Sequence, residues 1–182
     1  MSTFPDEPGT PELADQHAFN LAVWEKLLAD EFLAELPNRI ETDELGQIIM
    51  LPLLAPEHGA DQASIAFLLK TLLPSGLTVI VCPVSTSCGV KCLDAAWISR
   101  EHWQAERVQI CLTQAPEICI EVISPSNSRR ELRKKKRLFF ETGAEEVWFR
   151  ERDGRMVFYR KDAPDLEVAS SVLCPEFPAR VE

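Results

Sequence analysis

The chain predicts a mixed α/β domain, an α+β arrangement with one central sheet and helices packed against it. Three features carry that prediction. Residues 117–123 (EICIEVI) are apolar and β-branched, as a strand buried on both faces must be. A helical pattern follows directly, from a cap at Ser126 or Asn127 to about Thr142, with Gly143 as its stop. Two short strand patterns, 146–150 and 156–160, then flank a turn at Asp153 and Gly154. Strands and helices interleaved in this way bury both periodicities against one another.

The remaining elements can be read in chain order. Residues 1–14 are acidic and Pro-rich, the composition of a disordered lead, and 15–182 reads as one domain. A helix is expected over 15–36, capped by Asp15, with Phe19, Val23, Leu27 and Leu28 on its apolar side. Pro37 and Asn38 break it. Short strands at 39–41 and 47–52 surround a turn at 44–46, and 56–59 reads as a loop. A second helix is expected over 60–73, burying Ile65, Leu68, Leu69 and Leu72, and 74–76 stops it. Strands are expected near 77–81, 84–87 and 93–98, then a polar stretch over 99–113. The tail after Pro164 reads as partly ordered.

Composition narrows the function. The chain has 182 residues, 46% of them hydrophobic and 26% charged, enough for a proper core. No apolar run is long enough for a membrane span, and the acidic start lacks the basic and apolar regions of a secretory signal, so a cytoplasmic protein with no membrane partner is expected. The formal net charge of -10 argues against indiscriminate nucleic-acid binding. Positive charge is nevertheless concentrated at Arg129, Arg130, Arg133, Lys134, Lys135, Lys136 and Arg137, opposed only by Glu131. Such a stripe can hold phosphates even on an acidic protein, although a solvated helix face is its ordinary use. Six cysteines without an export signal do not suggest a disulfide framework. Cys88 and Cys92 are four apart with no second pair at zinc spacing, which leaves a zinc-stabilised structural protein as the weakest reading.

Three charged residues stand where apolar ones belong. Glu121 interrupts the most apolar strand, sharing a face with Cys119 and Ile123, and a carboxylate there is costly unless it is paired or bound to a cation. The ordinary alternative is a strand-end glutamate reaching water. Asp94 falls in CLDAAWI, another apolar strand, where its ordinary use would be to cap a turn. In the next helix, Leu132, Leu138, Phe139 and Phe140 define an apolar arc that also contains Lys135 and Lys136. Periodicity does not choose between the two lysines, and the ordinary use of either stem is to cover apolar surface. Two carboxylates on neighbouring strands can hold Mg²⁺ through oxygen, and a nearby ammonium would stabilise negative charge on an attacked phosphodiester.

With Asp94, the EVISPSN run at 121–127, Lys135 and GAEEVW at 143–148, the sequence resembles the Uma family of restriction-endonuclease-like proteins, in the PD-(D/E)xK superfamily. The RIE at 39–41, the EHG at 57–59 and DAAWISREHW at 94–103 extend the resemblance over roughly 39–159. It implies a restriction-endonuclease-like core with flanking helices and metal-dependent cleavage of nucleic acid, expected to be DNA, with Mg²⁺ or Mn²⁺. It implies Asp94, Glu121 and the backbone carbonyl of Ile123 as metal ligands. It selects Lys135 over Lys136, because the family lysine stands on the following helix at this position. Glu41 matches a recurrent glutamate ahead of the first hairpin, completing a catalytic set of Glu41, Asp94, Glu121 and Lys135. Arg129, Arg130, Arg133, Lys134 and Arg137 are then expected to meet the flanking phosphates, and a homodimer is expected because duplex cleavage needs two sites. His58, in the expected loop, is a further candidate, although a surface position is the usual fate of a loop histidine. Leu93 and Glu131 depart from the family's usual Pro and Asp without removing a functional group. The competing reading is a non-catalytic interaction protein, or mobile-element accessory, that keeps the fold.

Overall fold

The computed structural model describes residues 13–35 and 39–182. Its element order is α1 (Leu13–Leu28), α2 (Glu31–Ala34), β1 (Ile40–Thr42), β2 (Ile48–Met50), α3 (Pro56–Leu72), β3 (Gly76–Thr86), β4 (Gly89–Ser99), α4 (Arg100–Glu106), β5 (Ile118–Val122), α5 (Arg129–Glu141), β6 (Glu146–Arg150), β7 (Met156–Arg160) and β8 (Ala163–Val168). Strands β3 to β8 form one sheet in sequential order, and β1–β2 is a separate hairpin. All sheet pairings are antiparallel except β5–β6, which α5 connects as a crossover. The expected mixed sheet with flanking helices is therefore the fold. Among the described residues no helix is long and apolar enough to cross a membrane.

The two faces of the sheet carry separate cores. Phe139, Phe140 and Leu132 of α5 pack on Leu93, Ala96, Cys119, Val147 and Phe149. Ile65 and Leu69 of α3 pack on Ala95, Ile118, Ile120 and Trp148 with Phe158 and Phe177. The strand expected at 117–123 is β5, buried throughout over 118–122 with Glu117 and Ile123 half-buried at its ends, and its alternation sends Ile118, Ile120 and Val122 to one face and Cys119 to the other.

Several boundaries differ from the sequence reading. The lead expected over 1–14 lies mostly outside the described residues, and α1 begins at Leu13, ahead of the expected Asp15 cap. Its buried side is Gln16, Asn20 and Trp24, whereas Phe19 and Leu28 are 42% and 58% exposed. Polar residues occupy the inner face because they bond to it: Asn20 donates to Ser85 Oγ and to the Thr86 carbonyl. The helix stops at Ala29, and Asp30 caps the short α2. Leu36, the expected helix end, lies outside the described residues. The strands expected at 77–81 and 84–87 are one long strand, irregular at Val81 with φ of 52°. α5 is capped by Ser128, not Ser126 or Asn127, through a capping box with Glu131. The tail supplies a further strand, β8, and Phe177, which packs on Trp148 at 4.7 Å between centroids.

The largest difference is at α3. It begins at Pro56, so the expected loop 56–59 is its first turn. Proline suits the first helical position, where its missing N–H costs nothing. The earlier start adds His58 to the buried face of the helix, which also carries Asp61 and Gln62.

Candidate active site

β4 and β5 pair only from Ala95–Ile120 to Trp97–Ile118, so they part just where the two acids stand. Asp94 fills the gap: its Oδ2 accepts the Val122 N–H at 2.8 Å, in place of a ladder bond. Side-chain alternation slips here too. Leu93 and Ala96 both face the α5 core, which strict alternation would forbid, and Val81 with its positive φ lies opposite on β3.

Asp94 is 2% exposed, and its Oδ1 accepts three hydrogen bonds: from Arg39 Nη1 at 2.8 Å, from Gln62 Nε2 at 2.8 Å and at 3.1 Å from His58 Nε2. Burial works against its charge, but the His58 hydrogen bond, the Arg39 guanidinium and the Val122 N–H hold its carboxyl below the usual carboxylate value. Glu121 is 4% exposed, and Lys135 Nζ donates to both its oxygens at 3.1 Å. Burial pushes the Glu121 carboxyl up to about 8; Lys135 opposes the shift, and Asp94 and Glu41 add to it. Lys135 also contacts Glu41 Oε1 at 2.8 Å. Burial disfavours its ammonium, yet Glu121 and Glu41 outweigh that and hold its pKa above the ordinary lysine value. Sequence periodicity left Lys135 and Lys136 open, and the structure separates them. Lys136 is buried on the other side of α5, donating to the Pro164 carbonyl and lying 3.9 Å from the Tyr159 ring centroid.

Asp94, Glu121, Ile123, Lys135, His58 and Arg39 line a single cavity of about 650 Å³. Glu41 stands behind Lys135, its Oε1 accepting the Cys92 N–H at 3.2 Å. The geometry thus brings together all four members of the expected catalytic set and adds His58. Arg129, Arg130, Arg133, Lys134 and Arg137 are exposed on α5, outside this cavity.

A family profile described as "Putative restriction endonuclease" matches residues 29–175. The chain belongs to this family, Uma2. The family is by its description one of restriction endonucleases. The solved structure of an Anabaena variabilis protein, titled "a putative nuclease belonging to DUF820", superposes with a TM-score of 0.64 at 20% identity, over 83% of this chain and 93% of that one. At that identity the likeness is one of fold. No curated protein matches the chain.

This Uma2 chain also uses residues that the sequence reading passed over. Arg39 and Gln62 anchor Asp94. Gln62 stands four after His58, the spacing of one helical face, and Pro56 was the signal for that helix. Lys91 is buried in β4, donating to the Thr42 carbonyl at 2.6 Å and lying 3.7 Å from Glu41 Oε2. A lysine between Val90 and Cys92 in an apolar strand was its signal. Burial lowers the Lys91 pKa, against the pull of Glu41. Arg150 and Asp61 form a buried pair at 2.8 Å on the cavity wall.

The donor set bears on which cation would suit the cavity. Among the described residues no three His, Cys, Asp or Glu side chains group as a cage for a metal ion of any kind, so the cavity offers a cation two carboxylates and not a full protein ligand set. Two carboxylates are the set that Mg²⁺ uses, since it keeps several waters and needs few protein ligands. Glu121 remains short of compensating positive charge even with Lys135 on it, which is the condition a divalent cation relieves.

Proposed function

We propose that this chain is a metal-dependent endonuclease hydrolysing DNA phosphodiester bonds, with Mg²⁺ or Mn²⁺ as cofactor. The observation that carries the reading is that two buried acids from adjoining strands and a lysine from the next helix share one cavity. Asp94, Glu121 and the Ile123 carbonyl would hold the ion. When bound, the ion supplies Lewis-acid polarisation of the phosphodiester and acidifies a bound water.

The protein's own groups have separable tasks. Arg39, His58 and Gln62 fix the Asp94 carboxylate from one side, while the Val122 N–H fixes it from the other. Glu41 holds Lys135 against Glu121, so the ammonium is already in place for negative charge gathering on the phosphate. The exposed arginines and Lys134 of α5 would meet the phosphates on either side of the scissile bond.

The test is cleavage of plasmid and oligonucleotide DNA with Mg²⁺ or Mn²⁺. Asp94→Ala and Lys135→Ala, with folding intact by circular dichroism, are expected to lose about 100-fold or more in rate. Absence of cleavage by the wild type with either metal and any nucleic acid would overturn the reading. A second reading, an interaction protein that keeps the fold, draws support from the pairing of both acids with the protein's own cations. It expects neutralisation of Asp94 and Glu121 to leave partner binding unchanged.

A further inference from the structure

α5 turns Lys135 into the cavity and Lys136 into a second concavity, of about 850 Å³, between the helix and residues 161–165. Lys136 builds this groove. Its ammonium is spent on the Pro164 carbonyl, on Asp165 at 3.5 Å and on the Tyr159 ring, tying the segment after β7 to the helix. The charges on the groove's rim are not spent in this way. Arg130, Arg133 and Lys134 from one wall and Lys161 from the other have no carboxylate partner among the described residues, whereas Arg137 pairs with Glu141 at 3.3 Å. Asp165, the other acid lining the groove, is the one that Lys136 contacts.

Like charges crowded along a groove repel one another, and in a protein of net charge -10 nearby acids could have neutralised them. The cations at 130, 133–134 and 137 recur about every 5 Å along the helix axis, one per turn. That spacing suits a linear polyanion better than a single anion. The Ser124–Asn127 segment, which lines the cavity, leads directly into the helix carrying them.

We infer that the groove between α5 and residues 161–165 is a second nucleic-acid site, gripping the phosphodiester backbone of the substrate strand beyond the scissile bond. The inference rests on the nuclease reading for its substrate and adds Lys161 and a two-walled track to it.

The test is fluorescence anisotropy of a labelled DNA oligonucleotide in EDTA, across a salt series. Arg133→Glu with Lys161→Glu is expected to weaken binding about tenfold or more and to lower the slope of log K against log salt by about two. Arg130→Glu with Lys134→Glu should do the same from the helix wall alone, whereas Lys70→Glu, remote on α3, should change neither. Unchanged affinity and slope in both reversal variants would overturn the inference, as would equal displacement of DNA by polyglutamate at matched charge. If the wild type binds DNA with this dependence on the groove but cleaves nothing, the nuclease reading fails and the groove stands.

Discussion

Lys135 Nζ sits equidistant from the two carboxylate oxygens of Glu121, 3.1 Å from each, while a third contact at 2.8 Å ties it to Glu41. All three ammonium protons are thus committed to two acids that come from different parts of the chain. Perturbing either acid perturbs the lysine, which makes the cluster testable piece by piece.

Glu121 should make the metal-free protein less stable as pH rises. Its carboxyl titrates near 8 when folded, well above its ordinary value of 4.5. Between those values the folded chain keeps a proton that the unfolded chain releases, so stability is full below about 4.5 and falls as pH climbs toward 8. Each pH unit in that window is worth at most about 1.4 kcal/mol. Urea unfolding in EDTA should show this decline, and Glu121→Gln should flatten it and be the more stable protein at pH 8. A wild-type profile that rises over the same window would contradict the assignment. Mg²⁺ at pH 8 should stabilise the wild type and not the variant.

Lys91 should act through Glu41. Lys91→Met removes the cation beside Glu41 Oε2 and is expected to lower kcat by about tenfold with little change in KM, with Lys91→Arg recovering part of the loss. Because both residues act on Lys135 as a unit, Glu41→Gln combined with Lys91→Met should be hardly worse than Glu41→Gln alone. Strictly additive losses would show that Lys91 is independent of the site.

His58 and Gln62 should matter through the orientation of Asp94. Each donates to the same oxygen, so His58→Ala or Gln62→Ala is expected to weaken Mn²⁺ binding by about 10- to 100-fold, read by calorimetry. Wild-type metal affinity in both would leave these residues a purely architectural role.

Gly89→Ala should damage both fold and site. Gly89 has φ of 84°, and a Cβ there would lie 2.3 Å from the Asp43 carbonyl oxygen and 2.4 Å from that of Thr42. The strained backbone alone costs about 1–3 kcal/mol, and the displaced segment is the one carrying Glu41. Thermal melting should fall by about 2–4 °C per kcal/mol, with activity falling alongside. An unchanged melting temperature would mean that the hairpin is looser than this packing.

How far the sequence could be read depended on the length over which each signal ran. The buried strand at 117–123 and the helix after it were legible because burial on both faces and a 3.6-residue period leave strong, local patterns. The acids at 94 and 121 were legible for the converse reason, since a charge inside such a pattern has no local purpose. The inner face of α1 was misread because Asn20 is held there by hydrogen bonds to β3 and Gln16 by bonds to Asn20 and the Glu44 carbonyl, and hydrophobic periodicity does not register those bonds. The loop expected at 56–59 concealed the turn that delivers His58, although Pro56 marked its beginning.

By itself the amino-acid order determined which charges are misplaced, and hence that Asp94, Glu121 and one of two adjacent lysines required explanation. Local pattern carries that much because periodicity assigns each residue to a face. Periodicity left Lys135 and Lys136 open and the family resemblance chose Lys135, but only the tertiary structure decided that Lys135 meets both Glu121 and Glu41, that Asp94 replaces a missing ladder bond, and that Arg39, Gln62 and Lys91 support the cluster. Those contacts join elements far apart in sequence and depend on where β4 and β5 separate, a property of the folded sheet that no window along the chain contains.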